Sequence, residues 1–329
     1  MLKAITRRHI LRGGTYLSLG PSLLKAACVD TPLSPFDDDS TAEEVTESLD
    51  LTGKTALVTG VNSGIGYETM RVLALRGAHV LGTARTAEKG QVACDSVVGH
   101  ATPLVLELSD FDSVVACANA VRAQVGSIDI LVCNAGVLLN QRRQVRGLEM
   151  HFVVNHLGHF ILVNRLLEGV LEAQEGRVVV VGSRAHHSAP EDGIQFDNLA
   201  GEGKFDRQES YGHSKLANGL FARELARRLA GTNATANSLH PGVVVTNIAR
   251  NLPGWQDAIF RFAGALFMKS VEEGAATTCY VATSPKLSGV SGCYFSDCNP
   301  VTPSANMLDD DMAERLWSVS EQLTAGYLD

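Results

Sequence analysis

The stretch that most constrains the fold is Ala56-Leu57-Val58 leading without a break into Thr59-Gly60-Val61-Asn62-Ser63-Gly64-Ile65-Gly66. A short run of apolar residues with no polar alternation, bounded by glycines, fits a strand buried on both faces. From Tyr67 to Arg76 the apolar residues recur at helical spacing. Strand, glycine turn and helix N-terminus together make a phosphate cradle. Free backbone N–H groups and the positive end of the helix dipole face an anion, and the glycines let it approach. The turn residues Gly60, Asn62, Ser63, Gly64, Ile65 and Gly66 are therefore candidate contacts to a pyrophosphate. The glycine spacing is G-x3-G-x-G, a variant of the commoner G-x-G-x-x-G.

The pattern repeats downstream. His79 to Arg85, Pro103 to Leu108, Ile128 to Val132, Arg177 to Val181 and Ala234 to Leu239 read as strands, with Cys293 to Phe295 as a last short one. Helical spacing fills Phe111 to Val125, Met150 to Leu171, Tyr211 to Leu229, Val271 to Ala282 and Met312 to Leu323. Alternating helices and all-apolar strands predict an α/β protein: a single Rossmann-type, doubly wound parallel sheet over 51–329 with helices on both faces. In such sheets ligands sit at the carboxyl ends of the strands. The glycine turn, Asn134, Gly136 and Ser183 all fall there. Residues 184–207 form a long polar connection at the mouth of that site. The apolar segment 247–268 reads either as a mobile lid over an apolar substrate or as a buried helix pair.

The N-terminal fifty residues are of another kind. Arg7-Arg8 precedes Ile10-Leu11 and a weakly apolar run from Gly13 to Leu24, resembling a twin-arginine export signal over 1–28. Pro21 and Lys25 interrupt the run, so a disordered basic arm is the equal alternative, and the run is too broken for a membrane span. Cys28 after Ala26-Ala27 hints at a lipoprotein site. Residues 29–50, with Asp37-Asp38-Asp39 and few large apolar groups, are expected to form an acidic disordered linker. Localisation stays open between export or membrane association through the N-terminus and the cytoplasm. A net charge of −8 without a basic stripe past the first dozen residues argues against a nucleic-acid partner. The seven cysteines have no metal-ligand spacing, so no metal is expected, and mostly buried free thiols are the favoured reading.

Two features speak to chemistry. In Tyr211-Gly212-His213-Ser214-Lys215 the phenol and the ammonium lie four apart on one helix face. A nearby ammonium stabilises a phenolate and lowers its pKa, and such a phenol exchanges a proton with a carbonyl or alcohol oxygen. At the end of the second strand, Arg85 stands where dinucleotide folds place either an acid for a ribose hydroxyl or a base for a 2′-phosphate. Ala84 and its neighbours offer no acid. NADP is thus expected rather than NAD, unless Arg85 only shares a solvated loop with Lys89.

Taken together, Thr59-Gly60-x3-Gly64-Ile65-Gly66, Asn134-Ala135-Gly136, Asn155, Ser183, Tyr211-x3-Lys215 and Pro241-Gly242 resemble, in order, the classical short-chain dehydrogenase/reductase family. Asn155-His156-Leu157-Gly158-His159-Phe160, the Tyr211 to Asn218 run and Arg315-Leu316-Trp317 resemble its retinol dehydrogenase-like branch, itself similar to WW-domain oxidoreductases and light-dependent protochlorophyllide reductases. The resemblance implies Tyr211 as general acid/base and Lys215 as its electrostatic partner and a holder of the nicotinamide ribose. It implies Ser183 on the reacting oxygen, and Asn155 shaping the helix that holds a water between Lys215 and solvent. It implies Asn134 and Gly136 on the adenosine side, with Pro241, Gly242 and Thr246 near the nicotinamide. The histidines at 156, 159, 186 and 187 are read as structural.

The expected activity is NADP-dependent hydride transfer between nicotinamide and a carbonyl or alcohol carbon of an apolar small molecule, retinoid-, fatty aldehyde-, sterol- or ketone-like. A non-catalytic NADP-binding sensor or scaffold is the alternative, and a light-driven or epimerising enzyme a further one. A homodimer or tetramer through 110–126 and 150–171 is an expectation by analogy. Membrane contact is left open. Three departures stand out: Cys133 where the family has an Asn, Glu107 where it has an Asp, and Gly182 where a serine is common.

Overall fold

Alternate residues of each central strand serve opposite hydrophobic cores, so neither face of the sheet meets water. Leu57, Leu131, Val178 and Val180 point into one core, while Ala56, Val58, Ile130, Val132, Val179 and Val181 point into the other. That two-sided burial is why these strands read as unbroken apolar runs. A computed structural model describes Cys28 and residues 31–244 and 269–329. The arginine pair, Thr246 and the 247–268 segment lie outside those residues.

In chain order the described elements begin β1 (Thr55–Thr59), α1 (Gly64–Leu75), β2 (His79–Ala84), α2 (Ala87–Asp95), β3 (His100–Val105), α3 (Phe111–Gln124) and β4 (Ile130–Cys133). A small hairpin, β5 (Gln144–Val145) and β6 (Leu148–Glu149), leads into a π-helical turn, Phe152–Leu157, and then α4 (Gly158–Glu172). There follow β7 (Arg177–Val181), α5 (Arg207–Arg228), β8 (Thr235–His240), α6 (Val271–Thr283), β9 (Tyr294–Ser296), β10 (Asn299–Pro300) and α7 (Asp310–Thr324).

The main sheet runs β10-β9-β8-β7-β4-β1-β2-β3, parallel throughout except for β10. Leu57 of β1 pairs with Leu81 of β2 on one side and Leu131 of β4 on the other. Strand order therefore reverses between β1 and β4, and the crevice above their carboxyl ends is the switch point where such sheets bind ligands. Helices α3, α4, α5 and α7 cover one face, with Phe111, Phe160, Phe221 and Trp317 at the centre of its core. Helices α1 and α6 cover the other. Residues Gly158 to Leu167 of α4 are buried within the chain itself, and Arg165 reaches the carbonyl of Tyr327 at 2.9 Å, so the C-terminal turn packs across this helix.

The predicted fold is present, with local corrections. The third strand starts earlier and ends earlier than predicted, at His100 and Val105. The helix expected from Met150 opens instead with the π turn, whose residues Phe152 to Leu157 are all buried and so leave no exposed face from which to read a period.

Residues 31–50 are not a free linker. Ala42 and Val45 are buried in the second core, the Ala42 N–H donates to the Glu272 carbonyl at 2.9 Å, and Arg71 meets Glu43 at 2.6 Å. Cys28 is bonded to Cys293, beside β9, a pairing that the scattered cysteine spacing did not suggest; the other five are free and buried. A bridge spanning 265 positions removes much freedom from the unfolded chain. Replacing Cys28→Ser is expected to destabilise the folded chain by about 2–4 kcal/mol in denaturant unfolding, and adding a reductant to the unreplaced protein should have the same effect.

Candidate active site

The glycine turn adopts a shape that few other residues tolerate. Gly60 and Gly64 have φ of +77° and +62°, the left-handed region. A Cβ on Gly66 would lie 2.3 Å from the Gly60 carbonyl oxygen and 2.4 Å from Asn134 Nδ2. Ser63 starts α1 without a side-chain cap, which leaves the first N–H groups of the helix for another acceptor. Asn62 is exposed, and Ser63, Gly64 and Ile65 are half-buried at the crevice. These features fit a pyrophosphate: an open helix N-terminus, no side chain in the way, and backbone close enough to touch.

Thr59, the last residue of β1, ties the turn to β4. Its Oγ1 accepts the N–H groups of Asn134 and Ala135, each at 2.9 Å, while Asn134 Nδ2 donates back to the Thr59 carbonyl at 2.8 Å. With both lone pairs used, the hydroxyl proton points to His159 Nε2 at 3.0 Å. The other nitrogen of that ring, Nδ1, then donates to the Asn155 carbonyl at 3.1 Å. Burial holds the His159 pKa down to about 4, so the ring is a neutral link. The missing Asn at Cys133 leaves no gap, because the buried thiol sits in the core and Asn134 supplies the strand-to-strand bond.

Asn155 sits in the π turn with every polar atom engaged. Oδ1 accepts the Val137 N–H at 2.8 Å, and Nδ2 donates to the Val137 carbonyl at 3.1 Å and to Ser214 Oγ at 2.9 Å. Ser214 Oγ in turn donates to the Tyr211 carbonyl at 2.7 Å. Asn155 thus joins the loop after β4 to the second turn of α5. A Cβ on Gly136 would stand 3.1 Å from Asn155 Oδ1 and 3.8 Å from Lys215 Nζ, which puts all three residues in one corner.

Asp206 opens α5 by accepting the N–H groups of Gln208 and Glu209, and this sets Tyr211 on the second turn. Gly212 allows the approach of the next wall: a Cβ there would lie 2.5 Å from the Ala185 carbonyl oxygen, so the 184–188 turn packs directly on the helix. That contact brings Ser183, just past the end of β7, up to the Tyr211 phenol, whose pKa it pulls down. Gly182 has no room for a serine without movement, since its Cβ would be 2.8 Å from the Leu239 carbonyl oxygen. His186 braces Ser183 from behind. Its Nε2 accepts the Ser304 N–H at 3.2 Å, which leaves the Nδ1 proton for the Ser183 carbonyl at 2.7 Å.

The electrostatics differ from the sequence expectation. Lys215 Nζ lies 5.6 Å from the centroid of the Tyr211 ring and donates to the Val181 carbonyl at 2.9 Å. Burial pushes the Tyr211 phenol up to about 12, with the Ser183 hydrogen bond pulling the other way. Burial also pulls the Lys215 ammonium down to about 8. The phenol is therefore a protonated donor here, not a phenolate stabilised by its neighbour. Desolvation of both groups outweighs their attraction across this distance.

The remaining candidates lie around the same crevice. Arg85 is exposed at the carboxyl end of β2, next to buried Ala84, and among the described residues it makes no ion pair. The Glu107 carboxylate is turned inward on its own loop, accepting the Ser109 N–H at 3.1 Å and hydroxyl at 2.7 Å. Pro241 and Gly242 follow β8, and Gly242 has φ of +90°. No cluster of metal-ligating side chains occurs among the described residues. Thr59 entered the sequence reading only as the first residue of the glycine motif and His186 only as a structural histidine, because their partners are backbone groups that the sequence does not display.

A model of the short chain dehydrogenase family matches residues 54–257. Short-chain dehydrogenase TIC 32 B of Brassica napus is 39% identical over 88% of this chain and 94% of its own length. Human retinol dehydrogenase 11 is 41% identical over 84% of this chain and 87% of its own. Among solved structures, an uncharacterized protein from Mycobacterium Paratuberculosis superposes with a TM-score of 0.68 at 32% identity, covering 85% of this chain and 97% of that one. An NAD(P) dependent gluconate 5-dehydrogenase from Beutenbergia cavernae with bound NADP gives 0.59 at 27%, covering 75% and 95%.

Two outcomes are expected of the site. Gly66→Ala should abolish measurable cofactor binding in a fluorescence titration, since the added carbon meets the Gly60 carbonyl and the Asn134 amide that ties the turn to β4. Cofactor affinity should fall about tenfold or more as pH rises through about 8, where the Lys215 ammonium neutralises, and Lys215→Met should remove that step.

Proposed function

The chain belongs to the short chain dehydrogenase family, as a retinol dehydrogenase-like, NAD(P)-dependent oxidoreductase acting on CH–OH and C=O groups, and from that premise we propose that it prefers NADP and works on an apolar carbonyl or alcohol. The observation that carries the cofactor preference is the pairing of exposed Arg85 with Ala84 at the end of β2. An acid at this place would repel a 2′-phosphate and bind a ribose hydroxyl, whereas a free guanidinium forms charge-assisted hydrogen bonds to the phosphate.

The bound cofactor supplies or accepts the hydride, and the protein handles the proton. In the reductive direction the Tyr211 hydroxyl gives its proton to the substrate oxygen. The high phenol pKa suits that role, because the donor stays loaded at neutral pH. The Ser183 hydroxyl hydrogen-bonds the same oxygen and stabilises the charge that grows on it. The Lys215 ammonium, held beside Gly136 and Asn155, offsets the negative charge left on Tyr211. Asn155 acts through Ser214 and the Val137 backbone, keeping the helix and the loop in register. In the oxidative direction the proton moves the other way through the same groups.

The apolar substrate class is supported by the sequence of the 247–268 segment, with Trp255, Phe260, Phe262 and Phe267, and by relatives named retinol dehydrogenases. Export is supported by the arginine pair at Arg7-Arg8 together with the Cys28–Cys293 bond, since disulfides persist in oxidising compartments. Among the described residues no helix is long and apolar enough to cross a membrane.

The reading is tested by titrating the full chain with NADPH and NADH and following oxidation of each by a panel of apolar aldehydes and ketones. NADPH should bind much more tightly, and Arg85→Ala should weaken NADPH by about 10- to 100-fold while leaving NADH unchanged. Equal affinities in the unreplaced chain would remove Arg85 from the account. Tight NADPH binding with no turnover of any panel member would favour a cofactor-binding sensor.

A further inference from the structure

Beside Tyr211, and outside the four residues given roles above, lies a buried acid–imidazole pair. His151 is 0% exposed and Glu149 5%. Glu149 Oε1 meets His151 Nδ1 at 2.8 Å, while Oε2 accepts the N–H of His151 at 2.8 Å and of Phe152 at 3.2 Å. On the far side of the ring, Nε2 accepts the Leu139 N–H at 2.8 Å. A backbone N–H can only donate, so Nε2 carries the lone pair and the ring proton sits on Nδ1, aimed at Glu149. The hydrogen bonds at both ends fix tautomer and ring plane together. The body of the ring packs edge-on to Tyr211, centroids 6.1 Å apart at 70°, with Phe205 parallel to it at 6.4 Å.

We infer that Glu149 and His151 form a positioning pair that sets the Tyr211 ring against the loop 137–142. The pair gathers three segments that converge on the reacting centre. Through Leu139 it holds the loop that begins at Asn134 and Gly136. Through the Phe152 N–H it caps the π turn that carries Asn155. Through the Glu149 N–H, which donates to the Leu199 carbonyl at 2.8 Å, and the tight packing of Glu149 on Gly201, it holds the connection leading into α5. An apolar side chain of equal size would fill the space and leave the Leu139 N–H and Glu149 Oε1 buried without partners. The acceptor at Nε2 is the part that an aromatic substitute lacks. Neither residue reaches the substrate oxygen, so both act through Tyr211 and the loop.

The inference rests on Tyr211 being the proton donor, and the test separates the two claims. His151→Phe keeps a ring and loses the acceptor; His151→Gln keeps an acceptor and loses the ring. Each is purified as the full chain, titrated with NADPH, assayed on a carbonyl that the unreplaced enzyme reduces, and followed by hydrogen exchange over 137–142. His151→Phe is expected to lower kcat by about 10- to 100-fold with NADPH affinity within about twofold, and to speed exchange in that loop alone. His151→Gln should restore loop protection and bring kcat back to within about fivefold of the unreplaced enzyme. Unchanged exchange in His151→Phe, or equal losses in the two variants, overturns the positioning role. Should the unreplaced chain reduce no carbonyl, the proposed function falls, and the exchange measurement still decides the pair.

Discussion

The site depends on the hydroxyl of Thr59. Backbone pairing of β1 with β4 stops at Val58 and Val132, which leaves a gap at the switch point. Thr59 Oγ1 closes that gap with two backbone N–H groups, and Asn134 returns a bond to the Thr59 carbonyl. On one side this fixes the glycine turn at the height a phosphate needs. On the other it fixes the loop through Gly136 and Val137, from which Asn155, Ser214 and Tyr211 follow in sequence by hydrogen bonds of 2.7–3.1 Å. Cofactor cradle and proton donor are thus positioned from one strand end.

Burial does the rest of the chemical tuning. The packing that buries Lys215 and covers much of Tyr211 raises the phenol and depresses the ammonium. Four imidazoles nearby, His156, His159, His186 and His213, are likewise pushed down by desolvation and serve as neutral hydrogen-bonding groups. A site assembled this way keeps the Tyr211 proton in place at neutral pH among neutral imidazoles, with Lys215 the neighbour that titrates, near 8.

The fold was legible because its strands are buried on both faces, which leaves uninterrupted runs such as Arg177 to Val181 between helical patterns. The strand pattern also placed the glycine turn, Asn134, Gly136 and Ser183 at the carboxyl ends of the strands, and in the structure Asn155 and Lys215 stand beside Gly136. Other features were not legible for physical reasons. The order of residues 31–50 comes from partners far along the chain: Cys293 for Cys28, Glu272 for Ala42 and Arg71 for Glu43. Its acids, read as a solvating run, include a salt-bridge partner. The i, i+4 spacing of Tyr211 and Lys215 predicted a shared helix face correctly, but spacing could not reveal that Val181 would engage the ammonium. The bracing histidines were hidden because backbone N–H groups leave no trace in composition.

The central claim is that Tyr211 delivers the proton while the remainder of the site holds cofactor and substrate in place. Its most direct test is a single-turnover measurement of NADPH oxidation by a reducible apolar aldehyde in the unreplaced enzyme and in Tyr211→Phe. The account predicts that the phenylalanine enzyme binds NADPH with unchanged affinity and loses the oxidation step by about a thousandfold or more. Oxidation at an undiminished rate in Tyr211→Phe would contradict it.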